Sequence, residues 1–256
     1  MFIDTHCHFD FSPFAGDEIK SLEQARKVGV EKIIVPTVSQ INFQRVAALA
    51  EAYPSIYAAF GLHPLYIRQH QNAHLDELNQ QLQKKSAKCV AVGEIGLDLY
   101  MPEPQFEVQK SVLEAQLKLA KQYDLPAILH SRKSHDQLAA ILRKHKLPRT
   151  GVIHGFAGSL SQAKAFIGLG FYIGVGGTIT YDRAQKTRNT ISQLPLSSLV
   201  LETDAPDMPL AGSQGQPNRP EKVAQVFSVL CELRTESPDE IANQIYHNSR
   251  VLFLLG

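Results

Sequence analysis

The chain has 256 residues, 44% of them hydrophobic, which is enough to bury one sizeable core or two smaller ones. Lys and Arg number 26 against 25 Asp and Glu, which excludes a global basic field that would draw the protein onto nucleic acid or anionic lipid. A polyanionic substrate therefore has to be bound by local features.

The three cysteines argue against a disulfide framework and against a four-cysteine zinc site. Cys7, Cys89 and Cys231 are odd in number and widely spaced, and they form no Cys-x-x-Cys pair, as expected in a reducing compartment. The first residues carry no basic segment followed by an apolar stretch, and no later apolar run reaches the ~18 residues of a membrane helix. We expect a soluble, cytoplasmic protein without membrane association, and no obligate protein partner is evident from the sequence.

Eight short apolar runs are spread along the whole chain. They show no polar alternation, which is typical of strands that are buried on both faces in a parallel sheet covered by helices. The predicted strands are 2–3, 33–35, 56–60, 90–92, 127–129, 152–153, 171–173 and 199–201.

Segments with helical spacing separate the predicted strands. The clearest begins after Pro104, ends before Pro126 and carries apolar side chains at Leu113, Leu117 and Ala120. The other predicted helices are 18–28, 41–52, 74–85, 135–145, 160–168 and 182–193, followed after the eighth strand by 221–234 and 238–247. No linker or low-complexity tract interrupts this alternation, so residues 1–256 are predicted to form a single domain.

Eight strand–helix units favour an α/β fold of the (β/α)8 TIM barrel type. The alternative is an open doubly wound sheet, which usually has fewer strands and often a glycine-rich phosphate-binding loop after the first one. Here the first strand is followed by His6, Cys7 and His8 instead.

Residues typical of metal sites follow five of the eight predicted strands. On an extended strand residues i and i+2 point to the same side, so His6 and His8 can face one ion while Cys7 points away and packs. The other candidates are Glu94, His130, His154 and Asp204. Catalytic groups of these barrels come from the carboxyl ends of several strands, and four imidazoles with two carboxylates suit two ions better than one.

Other polar residues have weaker patterns. We interpret the remaining histidines on predicted helices and loops as surface residues: His70, His74, His135, His145 and His247. A group of basic residues after strands or in late loops supplies either a phosphate clamp or ordinary surface charge: Arg132, Lys133, Arg183, Lys186 and Arg219.

Six motifs in this sequence resemble the successive signatures of the TatD family of metal-dependent hydrolases. They are Ile3-Asp4-Thr5-His6-Cys7-His8, Gly61-Leu62-His63-Pro64, Gly93-Glu94-Ile95-Gly96-Leu97-Asp98, His130-Ser131-Arg132, His154-Gly155-Phe156 and Glu202-Thr203-Asp204-Ala205-Pro206. They occur in family order, and residues 174–181 and 204–210 are similar to the YjjV-type branch. The resemblance implies a TIM barrel of the metal-dependent amidohydrolase type with nuclease activity, commonly 3′ to 5′ on DNA.

The resemblance also implies a role for each matched residue. His6, His8 and Asp204 would hold a first ion, His130 and His154 a second, and Glu94 would bridge the two. His63 and Glu202 match further active-site positions that contact substrate or orient the ligands. Arg132 and Asn218 are candidates for substrate binding.

Two segments depart from the family pattern. Residues 154–158 read His-Gly-Phe-Ala-Gly where many relatives have His-Cys-Phe-Ser/Thr-Gly, and residues 217–220 read Pro-Asn-Arg-Pro where many have Arg-Asn-Glu/Gln-Pro. The metal-type residues survive both changes. The second change surrounds Asn218 and bears on substrate contacts there.

Three functions are compatible with this sequence. The first is a phosphodiesterase or deoxyribonuclease acting on single-stranded DNA or nucleic-acid 3′ ends, with two Zn²⁺, Mg²⁺ or Mn²⁺ ions. The second is a hydrolase of a carboxylic ester or amide, such as an aminoacyl adduct, and the third is a non-enzymatic metal-binding scaffold. In either enzyme, Asp204 would accept the proton of the attacking water, and His63 would bind a substrate oxygen or protonate the leaving group.

Overall fold

The computed structural model describes all of residues 1–256 and consists of eight parallel strands that alternate with helices. The strands are β1 Phe2–Asp4, β2 Val30–Pro36, β3 Ile56–Phe60, β4 Cys89–Asp98, β5 Ala127–Arg132, β6 Gly151–Ile153, β7 Tyr172–Val175 and β8 Leu199–Leu201. The helices are α1 Glu18–Lys27, α2 Phe43–Ala52, α3 Asn72–Gln83, α4 Phe106–Gln122, α5 His135–His145, α6 Leu160–Gly168, α7 Gln185–Gln193, α8 Val223–Leu233 and α9 Pro238–Phe253. No helix combines the length and the apolar composition needed to cross a membrane.

The strands follow one another around a barrel in chain order. Each pairs in parallel with the next, from β1 through β8. The ring closes where the Thr5 backbone N–H donates to the Leu201 carbonyl oxygen at 3.0 Å and where Cys7 forms a parallel bridge with Ala205. The (β/α)8 barrel that the alternation predicted is therefore confirmed.

Both faces of the strands are buried, as their apolar composition requires. Outward-facing side chains such as Ile33 and Val35 pack with the helices in a core of 49 residues. Inward-facing side chains such as Ile34, Ile128 and Val200 belong to a second cluster of 11 residues inside the barrel. This double burial explains why the strands lack the polar alternation of an antiparallel sheet.

The C-terminal helix closes the amino end of the barrel. Leu252, Phe253 and Leu255 pack against the inward-facing cluster, and the Lys32 amine near the start of β2 donates to the Gly256 carbonyl oxygen at 2.9 Å. Because these contacts hold the last turns of α9 against the barrel, the helix reaches Phe253, six residues beyond its predicted end. The opposite, carboxyl end of the barrel is left for polar side chains.

Several strands are longer than predicted, and in β4 and β5 the extension changes the setting of two candidate ligands. β4 extends to Asp98 and β5 to Arg132, so Glu94 and His130 lie within strands rather than after them. The β4–β5 pairing shifts register between Val92 and Ile95, next to Glu94. Both side chains are therefore held by the sheet itself, which fixes them more firmly than a loop would.

Candidate metal centre

The structure brings all six predicted ligands together at the carboxyl end of the barrel. The Glu94 side chain is 1% exposed and lies at the centre, with its two oxygens facing different neighbours. The surrounding residues are His6 and His8 after β1, His130 in β5, His154 after β6 and Asp204 after β8.

The first cluster surrounds Glu94 Oε2. His6 Nε2 lies 3.2 Å and His8 Nε2 3.5 Å from this oxygen, and the two nitrogens are 3.3 Å apart. Asp204 Oδ1 lies 3.4 Å and 3.6 Å from the same nitrogens. Four ligands that bind one tetrahedral ion at about 2.0–2.2 Å lie roughly 3.3–3.6 Å from one another, so the spacing fits an ion of that kind.

The second cluster surrounds Glu94 Oε1. His154 Nε2 lies 2.6 Å and His130 Nδ1 3.0 Å from this oxygen, and the two nitrogens are 3.4 Å apart. One carboxylate thus separates two donor sets, each of which contains two imidazoles. The division of these residues between two ions stays a prediction.

In His8 and His130, the ring nitrogen that points away from Glu94 has a hydrogen-bond partner, and this partner fixes the tautomer of the neutral ring. His8 Nδ1 lies 3.3 Å from the Pro36 carbonyl oxygen, and His130 Nε2 lies 3.0 Å from Asp98 Oδ2. Because both partners are acceptors, a neutral ring carries its proton there and presents the other nitrogen, unprotonated, to Glu94. This is the state that a metal ligand requires.

The same reasoning separates His63 from the ligands. His63 Nε2 lies 2.8 Å from Glu94 Oε1, close enough for His63, Glu94 and His130 to surround an ion. However, His63 Nδ1 accepts the Leu65 backbone N–H at 3.0 Å, so the proton of the neutral ring is on Nε2. Burial, against the attraction of Glu94, lowers the pKa of His63 to about 4, so the ring is a neutral N–H donor.

Glu202 lies behind His154 and not in the open part of the site. Its side chain is fully buried, Oε1 accepts the Gly155 backbone N–H, and the same oxygen lies 3.8 Å from His154 Nδ1. Gly174 leaves room for it, because a Cβ there would be 2.8 Å from the Glu202 Cδ. Gly155 has φ +54°, in the left-handed region that favours glycine, and this first departure from the family pattern leaves His154 in place.

Two carboxylates that orient the ligands were not assigned from the sequence. Asp98 binds His130 as described, and Asp4 accepts the backbone N–H groups of Thr203 at 2.9 Å and His6 at 3.3 Å. Asp4 thereby joins the two segments that carry His6 and Asp204. Asp98 had a signal in the sequence, since Glu94 and Asp98 are four residues apart and face the same side of a strand.

The cluster opens into a cavity of about 330 Å³. Its walls include Pro206, from the motif that carries Asp204, and four aromatic and apolar side chains that no sequence motif singled out: Phe11, Val38, Leu65 and Tyr66. Three larger concave surfaces lie elsewhere, one beside β2, one between α2 and α3 and one at the end of α9, and only the last contains a histidine, the isolated His247. The smaller cavity is the only one of these with a ligand set for chemistry.

Some predicted substrate-binding residues lie elsewhere. Asn218 is 2% exposed, and its amide donates to the carbonyl oxygens of Thr203 and Met208, so it holds the loop after β8 and does not line the cavity. The Arg219 guanidinium is bound by three side chains, those of Ser21, Gln24 and Glu221, and is not free to clamp a phosphate. Arg132, Lys133, Arg183 and Lys186 remain exposed at the carboxyl end.

The interpretation of five histidines as surface residues was wrong for His74 and only partly right for three others. His247 is exposed, but His70, His135 and His145 are partly buried and His74 is buried. His74 Nδ1 accepts the Gln71 backbone N–H at the start of α3, and His70 Nε2 lies 2.8 Å from the His63 carbonyl oxygen. Cys7, fully buried in the core, packs as predicted.

Metal affinity is expected to increase with pH. Burial disfavours the charged form of His8, but Glu94, Asp204 and Asp10 outweigh it and raise its pKa to about 9. Burial likewise opposes the charge on His154, but Glu94, Glu202 and Asp204 raise its pKa to about 10. In the ion-free protein both rings are therefore protonated at pH 7, and each must lose the proton of the nitrogen that faces Glu94 before it binds an ion. Affinity should rise about tenfold per pH unit for each proton released. Calorimetry between pH 7 and 9, in buffers of different ionisation enthalpy, measures this; an affinity that does not change with pH would contradict it.

Removing the Asp98 carboxylate is expected to weaken the second ion selectively. Asp98→Ala leaves the His130 ring without the acceptor that fixes its tautomer, and loss of such a partner typically costs about 10–100-fold in metal affinity. Asp98→Asn is the comparison variant: its one amide oxygen can accept either from His130 Nε2 or from the Tyr100 and Met101 backbone N–H groups, so we expect a smaller loss of affinity than in Asp98→Ala. Chelator competition on both variants measures the affinity for each ion. An equal loss of affinity for both ions would show that Asp98 acts on the whole site.

Comparison with known proteins identifies the family of this chain. Residues 3–254 match the profile of the family described as TatD related DNase. The chain is 63% identical to the uncharacterized metal-dependent hydrolase YjjV of Escherichia coli, over 98% of this chain and 97% of the relative. The crystal structure of that protein superimposes with a TM-score of 0.99 and 62% identity, over 100% of this chain and 98% of the other. A protein of Pantoea vagans named 3′-5′ ssDNA/RNA exonuclease TatD is 31% identical over 95% of each chain. This chain is therefore a member of the TatD family of metal-dependent hydrolases.

Proposed function

We propose that this protein hydrolyses phosphodiester bonds at the ends of single-stranded nucleic acid, with two divalent ions bound on either side of Glu94. The observation that carries the proposal is the pair of donor sets around Oε1 and Oε2 of one buried carboxylate. The relative named as an exonuclease acting on single-stranded DNA and RNA supports this choice of substrate.

The donor set fits two ions on chemical grounds. Imidazoles suit Zn²⁺, and the carboxylates also accept Mn²⁺ or Mg²⁺. Bound there, the ions would polarise the phosphoryl group and lower the pKa of the attacking water.

Asp204 is the residue best placed to accept a proton during the reaction. Its side chain is 19% exposed, against 1% for Glu94, and it lines the cavity. Burial raises the pKa of this carboxyl above its ordinary value, which makes it a stronger base than a surface aspartate. We assign to Asp204 both a ligand role and the uptake of the water proton.

His63 would bind a substrate oxygen. His63 lines the cavity, and its neutral ring at pH 7 is a hydrogen-bond donor through Nε2–H and a poor source of a full proton. This N–H lies 2.8 Å from Glu94 Oε1, so it would turn from Glu94 to the substrate once Oε1 binds an ion. A donor aimed at an oxygen that gains negative charge stabilises the transition state more than the ground state. This role takes the place of leaving-group protonation, the other expectation for His63.

The cavity favours a strand end over an internal bond. A volume of about 330 Å³ is at the small end of ligand sites and suits one terminal unit of a polymer. The near-neutral net charge of +1 does not favour tight, processive binding of duplex DNA.

A substrate panel tests the proposed function. Metal-stripped protein is restored separately with Zn²⁺, Mn²⁺ and Mg²⁺ and given single-stranded oligonucleotides labelled at either end, RNA and aminoacyl esters. We expect release of mononucleotides from the 3′ end, inhibited by chelator. Cleavage of the aminoacyl esters with every phosphodiester left intact would contradict the proposal and favour a carboxylic ester hydrolase.

A further inference from the structure

Tyr100 and Arg132 form an exposed pair on the rim of the candidate metal centre. Tyr100 lies two residues after Asp98 and Arg132 two residues after His130, the two residues whose side chains are in contact at the site. The ends of β4 and β5 are paired here, and the Leu99 backbone N–H donates to the Arg132 carbonyl oxygen at 2.9 Å. At about 3.3 Å per residue, Arg132 is roughly 6.6 Å further out along the strand than His130.

The pair presents an open aromatic surface. Tyr100 is 60% exposed and is the one aromatic residue among the ten exposed large hydrophobic side chains. The Arg132 guanidinium lies over its ring, 4.1 Å from the centroid. Arg132 takes part in none of the ion pairs or side-chain hydrogen bonds of the structure, so its five donors are free.

The backbone beneath Tyr100 is fixed before any ligand binds. Asp98 Oδ1 accepts the backbone N–H groups of Tyr100 at 2.9 Å and Met101 at 3.2 Å. The Gln109 amide, from α4, donates to the Asp98 carbonyl oxygen at 2.8 Å. A fixed platform loses little conformational entropy when a ligand stacks on it.

We propose that Tyr100 and Arg132 form a subsite for the second nucleotide from the strand end, with the unpaired base stacked on Tyr100 and its phosphate bound by Arg132. The inference rests on the proposed function. The cavity is too small for more than one unit, so the rest of the strand must leave across the rim. Aromatic rings stack any base, and a planar guanidinium binds phosphate by two parallel hydrogen bonds while remaining stacked.

Oligonucleotide binding to the metal-loaded protein tests the subsite without relying on hydrolysis. Fluorescence anisotropy compares a single-stranded oligonucleotide with one of equal length and charge that lacks the base at the second position. We expect Tyr100→Ala to raise the Kd for the intact strand about 5- to 100-fold and to leave the Kd for the abasic strand unchanged. Tyr100→Phe should bind like the wild type, and Arg132→Ala should weaken both strands, because it removes a phosphate contact.

Leu254→Ala is the matched control, since Leu254 is also 60% exposed but lies at the opposite end of the barrel. Three results would disprove the subsite. In the first, the Kd of Tyr100→Ala for the intact strand stays within twofold of the wild-type Kd. In the second, Tyr100→Ala raises the Kd for both strands equally, and in the third, the wild type binds neither strand. Failure of the proposed function is a separate result: bound strands that are not cleaved with any of the restored ions.

Discussion

Replacing Glu94 with glutamine is expected to remove both metal ions and to reduce hydrolysis about 10³-fold or more. The reason is the central position of the carboxylate, because Oε2 contacts His6 and His8 while Oε1 contacts His130 and His154. A glutamine side chain keeps the shape but loses the charge, and one of its two ends becomes a donor that cannot bind a cation. Metal analysis of the dialysed protein and turnover with saturating Mn²⁺ measure the two effects.

Glu94→Asp separates loss of charge from loss of reach. Aspartate keeps the negative charge on a side chain that is shorter by one methylene. We therefore expect it to reach only one of the two donor sets, so that the variant retains at most one ion. Thermal unfolding of both variants shows whether the barrel remains intact. Full occupancy by two ions in Glu94→Gln would show that the carboxylate does not bridge them.

Asp204→Asn is expected to lower kcat about 10³-fold or more while leaving the second ion bound. The substitution removes a charged ligand from the first cluster and the proton acceptor that faces the cavity, whereas His130 and His154 do not depend on it for their positions. The asparagine is nearly the same size, so folding should not be affected.

Asp207→Asn is the matched control for Asp204→Asn. Asp207 is in the same loop and lines the same cavity, but it contacts none of the histidines. We expect less than a tenfold change in kcat for this variant. Comparable losses in the two variants would indicate a general effect of negative charge at the cavity, and a retained kcat in Asp204→Asn would remove the residue from the mechanism.

The barrel was predictable because its signals are local. Eight doubly buried strands have to be short and apolar, and each is followed by a helical pattern, so the order of elements follows from periodicity. The ends of β4 and β5 were not predictable in this way. Their last residues include Glu94, Asp98 and His130, polar side chains that face the candidate metal centre instead of an apolar core.

The candidate ligands were recognisable in the sequence, but the roles of several neighbouring residues were not. Histidines and carboxylates at the ends of several strands of one barrel converge on a single point, and such a cluster is typical of a metal site. The burial of Asn218 and the binding of Arg219 by α1 depend on how the loop after β8 folds back, and the sequence has no local signal for that. His74 likewise caps α3, because it lies three residues after Gln71 and its side chain accepts the Gln71 backbone N–H.

Anomalous diffraction from crystals of the protein loaded with Zn²⁺ or Mn²⁺ tests the proposed two-ion centre directly. We predict two peaks about 3.5–4 Å apart, one next to Glu94 Oε2 with His6, His8 and Asp204, the other next to Oε1 with His130 Nδ1 and His154 Nε2. A single peak, or a second peak bound by His63 Nε2 in place of His130 Nδ1, would contradict the proposed centre.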